Sequence, residues 1–320
     1  QAGYKTAMFT TALIEVAGKT QLNDLNATVA TTARMQQFFA DARKAKVDFV
    51  VLEITSHALD QHKLDGVPIE AAVMTNLTQD HLDYHKTMEN YAAAKGKLFA
   101  EEPRYIVLNR DDEWFDFFDE FTALEQKMTY GKHDEAEAKI TATKLYKKGS
   151  EANVVFDHQT ELELATHLPG EFNIANMTAA ASVCYLLGVN IEDIITGVAD
   201  LESIPGRFER VTEDLPYEVI VDYAHTSDAL EKLLQTVKEI TKNRVILVFG
   251  ACGDRDAGKR PIMGEVAARL ADRIILTDEE SYNEDPTAIR QQVFTGIEAA
   301  GGAAKTTEIA DRKEAIKKAL

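Results

Sequence analysis

Three short apolar runs that end on polar residues constrain this 320-residue chain most: Asp48-Phe-Val-Val-Leu-Glu53, Ala71-Ala-Val-Met-Thr-Asn76 and Tyr105-Ile-Val-Leu-Asn109. Between and before them lie helical patterns. Met35, Phe38, Phe39 and Ala42 recur at helical spacing over 32–46, and Tyr91–Phe99 carries a second pattern. Strands that are apolar throughout and alternate with helices predict a largely parallel sheet covered on both faces. In such sheets ligands gather outside the carboxyl ends of the strands. That places weight on Glu53, which ends one strand, and on Thr75–Lys95, which follows another. Asp80, His81, Asp83 and His85 fall within six positions there, and Lys95 comes next on a helix.

The rest of the chain supplies the frame. Residues 4–16 read as one strand that turns at Ala17-Gly18-Lys19-Thr20. The Gly-Lys-Thr triplet there lacks the glycine that a phosphate loop needs five positions earlier, so a hairpin turn is the reading. After Thr55-Ser56-His57 comes a short polar helix or loop to Lys63. Over 137–166 residues alternate in polarity around Gly149-Ser150, as an antiparallel flap would. A helix near Asn173 runs to Leu187, and Leu201–Arg207, with Pro205-Gly206, marks a domain boundary. Beyond it a second series reads as strand 217–222, helix 227–241, strand 244–249, helix 261–271, strand 273–277, helix 286–299 and strand 305–308. The expected fold is therefore α/β. A central, mostly parallel-sheet ATPase-like domain with an antiparallel β flap (1–203) precedes a Rossmann-like C-terminal α/β domain (204–320).

Composition narrows the function classes. A net charge of −18 argues against nucleic acid, which it would repel, while anionic substrates remain possible where arginines and lysines are gathered locally. The two cysteines, Cys184 and Cys252, rule out a disulfide framework and fit a cytoplasmic protein. No apolar run reaches bilayer length, which argues against membrane insertion. The chain opens on Gln1 and closes inside a helical pattern, Arg312–Leu320, so it reads as a fragment.

Chemistry is expected at four places. Glu53 suits a hard cation such as Mg²⁺, with His81 as a tolerable further ligand. Lys95 can pair with Glu53, or carry a carbamate that turns its cation into an anion able to help hold a metal. The loop Gly250–Pro261 has glycines that let backbone approach a ligand, and Arg255, Lys259 and Arg260 offer cationic hydrogen bonds to carboxylate or phosphate. Asp222 and His225 stop a strand, where they could hold a ribose or order phosphates, and Arg207 follows a Pro-Gly turn. Asn173 and Asn176 near a helix start could equally be caps. Cys252 has no histidine partner in its segment and no Gly-x-Ser-x-Gly occurs, which disfavours covalent hydrolysis.

Six segments, in order along the chain, resemble the Mur ligases, most closely the MurE type: LEITSHALDQHKL, TNLTQDHLDYHKTMENYAAAKGKLF, LPGEFNIANMTAAA, IPGRFERV, VDYAHTSDAL and FGACGDRDAGKRPIMGE. The resemblance implies an ATP-dependent amide ligase. It would activate the D-glutamyl carboxylate of a UDP-N-acetylmuramoyl-dipeptide to an acyl phosphate, which a diamino acid then attacks. By the same resemblance, Lys95 is a carbamylated lysine, and Glu53, His81 and that carbamate hold Mg²⁺. ATP contacts fall on Asn173, Asn176, Arg207, Asp222 and His225. Muramoyl-peptide contacts fall on Thr55, Gln61, Lys63 and Thr28, with Thr31-Thr32 a nearby alternative to Thr28, and Arg255 faces the incoming amino acid. A monomer is the expectation.

The sequence also departs from that pattern. Lys63 stands where arginine is usual, which keeps charge but loses the bidentate fork. Ser227 replaces a proline, and Glu279-Glu280-Ser281-Tyr282 stands where Asp-Asn-Pro-Arg would meet diaminopimelate, leaving the third amino acid open. The phosphate loop expected before Ala2-Gly3-Tyr4, and the Gly-Lys-Gly-His-Glu region expected after Leu320, fall outside these residues. Such a chain is expected to bind ATP poorly alone. Alternatives are a related ligase acting on a folate or a polymer, and a non-catalytic binding protein with the same fold.

Overall fold

The computed structural model describes residues 2–23, 28, 31–211 and 215–320. The chain opens with β1 (Thr6–Phe9), β2 (Leu13–Val16), β3 (Lys19–Leu22), α1 (Thr32–Ala45), β4 (Phe49–Leu52) and α2 (Ser56–Asp60). These form a four-stranded sheet in the order β3-β2-β1-β4, with β1 and β4 parallel. The single strand expected over 4–16 is in fact two antiparallel strands. The chain reverses at Thr10, whose N–H donates to Leu13 O and whose hydroxyl is exchanged with the Leu13 backbone at 2.9 Å. The hairpin at Ala17-Gly18 is as expected, both residues having positive φ (50° and 81°), which matches the strand twist and suits glycine. Helix α1 starts where Thr31 accepts from Arg34 N–H, and its apolar stripe packs Met35 and Phe38 against Phe9 and Leu64.

The larger sheet follows: β5 (Ala71–Met74), α3 (Leu82–His85), α4 (Met88–Ala100), β6 (Tyr105–Asn109), α5 (Phe115–Asp119), β7 (Gln126–Gly131), β8 (Ala138–Tyr146), β9 (Gly149–Phe156) and β10 (Thr160–Thr166). Its six strands run β10-β9-β8-β7-β6-β5. The alternating segment does form antiparallel strands, and β8 also pairs in parallel with β7, so both kinds share one sheet. Helices α6 (Glu171–Leu186) and α7 (Ile191–Ala199) pack with Val107, Met128, Phe156 and Ile174. Another cluster joins Ile106 to Phe99 of α4 and Phe118 of α5.

The C-terminal unit comprises β11 (Glu209–Arg210), β12 (Ile220–Val221), α8 (Ser227–Ile240), β13 (Ile246–Phe249), α9 (Lys259–Leu270), β14 (Arg273–Leu276), α10 (Pro286–Ala299), β15 (Thr306–Glu308) and α11 (Arg312–Ala319). The parallel sheet is β13-β14-β15, built around Leu247, Val266, Ile274 and Val293. The strand expected over 217–222 is only Ile220–Val221, and it pairs antiparallel with β11 instead of leading the parallel series. Asp222 ends it by accepting the Phe208 and Ala224 N–H groups, both at 2.8 Å.

Candidate active site

Glu53 follows β4 and is exposed, its Oε2 accepting the Thr11 N–H at 2.6 Å. Thr11 in turn shares a 2.7 Å hydroxyl contact with Thr28, so Thr28 stands beside the Glu53 carboxylate. Thr31 is occupied as the cap of α1. His81 and Lys95 both face Tyr91: the imidazole meets the ring edge-on at 5.9 Å, and the Lys95 Nζ lies 5.4 Å from its centroid. Lys95 makes no ion pair among the described residues. Burial pushes its pKa down, against the raising fields of Asp80, Glu53 and Asp112. A desolvated amine of this kind gains nucleophilicity, which is what reaction with CO₂ demands.

His81 caps α3 with left-handed backbone (φ 56°, ψ 23°), a conformation that costs a non-glycine residue on the order of 1 kcal/mol. Burial lowers its pKa to about 4, against the opposing field of Asp80, so the ring is neutral and able to ligate near pH 7. A carboxylate and a neutral imidazole are donors that a hard divalent cation accepts, so Glu53 and His81 suit such an ion. No cluster of three unmodified His, Cys, Asp or Glu side chains able to hold a metal occurs among the described residues.

Around this centre the expected substrate residues divide into two groups. Thr55 caps α2 by accepting from Ala58 N–H at 3.2 Å, and Gln61 closes that helix beside Tyr84. Lys63 and Arg255 both project positive charge on His57, whose pKa falls mainly through burial. His57 lies 4.8 Å from His81 and 5.4 Å from His85, ring to ring. Arg255 is exposed, 5.1 Å above the Tyr282 ring. Among the residues expected to meet the nucleotide, Arg207 stacks 4.4 Å from Tyr223, and burial raises the Asp222 pKa against the pull of its backbone donors. Asn173 is buried and donates to Pro169 O at 2.8 Å, while Asn176, one turn on, is exposed.

Two expectations for the Gly250–Pro261 loop need correction. Arg260 is fully buried and donates to Glu284, Gln292 and the Cys252 carbonyl, so it is a structural cation unavailable to a ligand. Gly253 serves protein packing: a Cβ there would sit 1.9 Å from Ser281 O. Lys259 is also buried, and it reaches out of its own domain to Asp80 Oδ1 at 2.7 Å. Asp80 itself had no role in the sequence reading beyond its place in the acidic and histidine cluster. It proves to be the junction: His225 Nε2 lies 3.2 Å from its Oδ2, the His81 N–H donates to its Oδ1 at 2.9 Å, and the His81 ring is 3.5 Å away. Next to it, Gln79 donates to Asp256 at 3.0 Å. Burial would raise the Asp80 pKa, yet the His225 hydrogen bond and the Lys259 ammonium hold it well below the usual carboxylate range.

Residues 2–184 match the Mur ligase middle domain and 206–320 the Mur ligase glutamate ligase domain. The chain is 39% identical over 328 residues to the UDP-N-acetylmuramoyl-L-alanyl-D-glutamate--2,6-diaminopimelate ligase of Geobacillus kaustophilus, covering 100% of this chain and 66% of that protein. Against the enzyme of that name from Synechococcus elongatus it is 40% identical over 324 residues, covering 100% and 64%. Thus the chain spans just under two thirds of these relatives. A solved structure of such a ligase aligns with TM-score 0.66 at 33% identity, over 98% of this chain and 64% of that one. A Mycobacterium tuberculosis folylpolyglutamate synthase bound to ADP shares the fold, with TM-score 0.77 at 18% identity over 99% and 77%. With both domain models matched in order along the chain, it belongs to the Mur ligase family.

Proposed function

We propose that this chain is the central and C-terminal part of a MurE-type ligase, which joins a diamino acid to the D-glutamyl carboxylate of UDP-N-acetylmuramoyl-L-Ala-D-Glu at the expense of ATP. The observation that carries this is that His81, its imidazole neutral, and Lys95, with no ion pair among the described residues, both face Tyr91, while the field of the Glu53 carboxylate acts on Lys95. When bound, Mg²⁺ would neutralise charge as carboxylate and triphosphate approach. Glu53, His81 and Lys95 as its carbamate would hold it. The substrate carboxylate attacks the γ-phosphorus and ADP departs. The amine then attacks the acyl carbon, inorganic phosphate leaves, and the amine's proton passes to solvent or a nearby base.

In this reading Thr28, Thr55, Gln61 and Lys63 bind the muramoyl peptide and Arg255 meets the amino acid. Asn173, Asn176, Arg207, Asp222 and His225 line the nucleotide side, with Arg207 on Tyr223 offering a planar cation for it. A monomer acting in the cytoplasm completes the proposal. No helix among the described residues is long and apolar enough to cross a membrane. The test is an amino-acid panel with the complete gene product that contains this chain, given ATP, Mg²⁺ and the UDP-muramoyl-dipeptide. Phosphate release that requires both dipeptide and one diamino acid is expected; release indifferent to the amino acid refutes the assignment.

A further inference from the structure

Asp80 is the most heavily engaged side chain at the junction of the two domains, and its partners are of two kinds. From the C-terminal domain come the buried Lys259 ammonium at 2.7 Å and His225 Nε2 at 3.2 Å. From its own turn come the His81 N–H at 2.9 Å and the His81 Nε2 edge at 3.5 Å. The carboxylate is 6% exposed, so solvent cannot stand in for any of them. His81 has backbone in a region that its own side chain disfavours, and the hydrogen bond from its N–H to Asp80 spans that very residue. With Nε2 toward Asp80, Nδ1 is the ring nitrogen left without a protein partner among the described residues. A carboxylate beside one nitrogen of a ligating imidazole orients the ring and raises its basicity.

We propose that Asp80 is a positioning residue that makes the placement of His81 depend on docking of the C-terminal domain. It takes Lys259 and His225 from that domain with the same carboxylate that holds the His81 backbone and faces its ring. Withdrawal of the domain removes Lys259 and His225 together and leaves a buried carboxylate free to move toward water, so His81 loses its fixed neighbour. Metal binding and domain docking are thereby coupled through one side chain. The inference rests on the ligase reading only in taking His81 as a metal ligand.

The test uses Mn²⁺ as the probe, its affinity read by water proton relaxation, and small-angle X-ray scattering for domain separation. Asp80→Asn should weaken Mn²⁺ by about 10- to 100-fold, the usual effect of losing such a partner, and enlarge the radius of gyration. Lys259→Met should shift both readouts the same way, and Lys259→Arg should keep both near wild type. The exchanged pair Asp80→Lys with Lys259→Asp is the discriminating variant: scattering should return toward compact while Mn²⁺ binding stays weak, because no carboxylate faces His81. Circular dichroism establishes that each variant folds, and Lys259→Met carries the test should the variants at position 80 not fold. Unchanged Mn²⁺ affinity in Asp80→Asn or Lys259→Met overturns the proposal, and so does full recovery of affinity in the exchanged pair. Absence of Mn²⁺ binding by the wild-type protein would instead sink the ligase reading of the centre, and this inference with it.

Discussion

Two cationic side chains in this molecule are buried to very different ends. Arg260, in the C-terminal domain, is fully enclosed and its guanidinium donates to Glu284, Gln292 and a backbone carbonyl. Lys95, in the central domain, is largely withdrawn from water and, among the described residues, meets an aromatic face and the fields of carboxylates but no ion-pair partner. Arg290 repeats the first pattern with Asp278 and Glu308. A paired buried cation is architecture, since the cation itself would be left charged and unsolvated without its partners. An unpaired one is tolerated only by shifting its pKa, and groups shifted in that way concentrate at sites of chemistry.

The contrast can be broken by substitution. In the complete gene product, Lys95→Ala should reduce ligase turnover by about 10³-fold, comparable with the loss of a strong charge-stabilising group, with partial rescue by a short carboxylic acid. Its urea midpoint should hardly move. Full activity in that variant would remove the carbamate role. Arg260→Met should do the reverse, costing about 3 kcal/mol of stability in urea unfolding through the hydrogen bonds lost to Glu284, Gln292 and the Cys252 carbonyl and through lost packing. A midpoint equal to wild type would erase the distinction. At the small end, Arg255→Met should change stability by no more than about 0.5 kcal/mol, because Arg255 is exposed, while raising KM for the amino acid.

Acid sharpens the same comparison. Burial is the leading cause lowering the pKa of His57, His81 and His85, which form one ring cluster, and for His81 the value falls to about 4. Each native imidazole refuses a proton that the unfolded chain accepts below about pH 6.5. Stability is therefore greatest above that point and is lost as pH falls toward 4, at up to about 1.4 kcal/mol per pH unit for each imidazole differing by a full proton. Urea midpoints at pH 7, 5.5 and 4.5 should decline, and His85→Gln should flatten the slope. A slope unaltered in that variant would show that His85 does not contribute.

Much of the frame was legible because it depends on local periodicity. The helix predicted over 32–46 is Thr32–Ala45, the strand over 105–109 is β6 to the residue, and the helix over 286–299 is α10. Errors arose where a strand's fate is decided by partners: residues 4–16 turn back at Thr10, and Ile220–Val221 joins β11 rather than the parallel sheet. Glu53, His81 and Lys95 could be named as candidates from the sequence, since strand tips and ligand-type residues announce themselves. Asp80 was visible as a residue but not as a junction. Its partners His225 and Lys259 lie 145 and 179 positions away, and only docking of the domains brings them within reach.

Alternation of apolar strands with amphipathic helices was enough to determine an α/β chain in two parts, because side-chain periodicity alone dictates which faces must be buried. The six motif segments likewise carried the family. Tertiary structure decided which charges are spent. Arg255, Lys259 and Arg260 are near neighbours of the same sign along the chain, yet one is exposed, one spans the domains and one is locked in the C-terminal core. Charge in a sequence has no partner until distant segments meet, and the energy of a buried ion depends almost wholly on that partner.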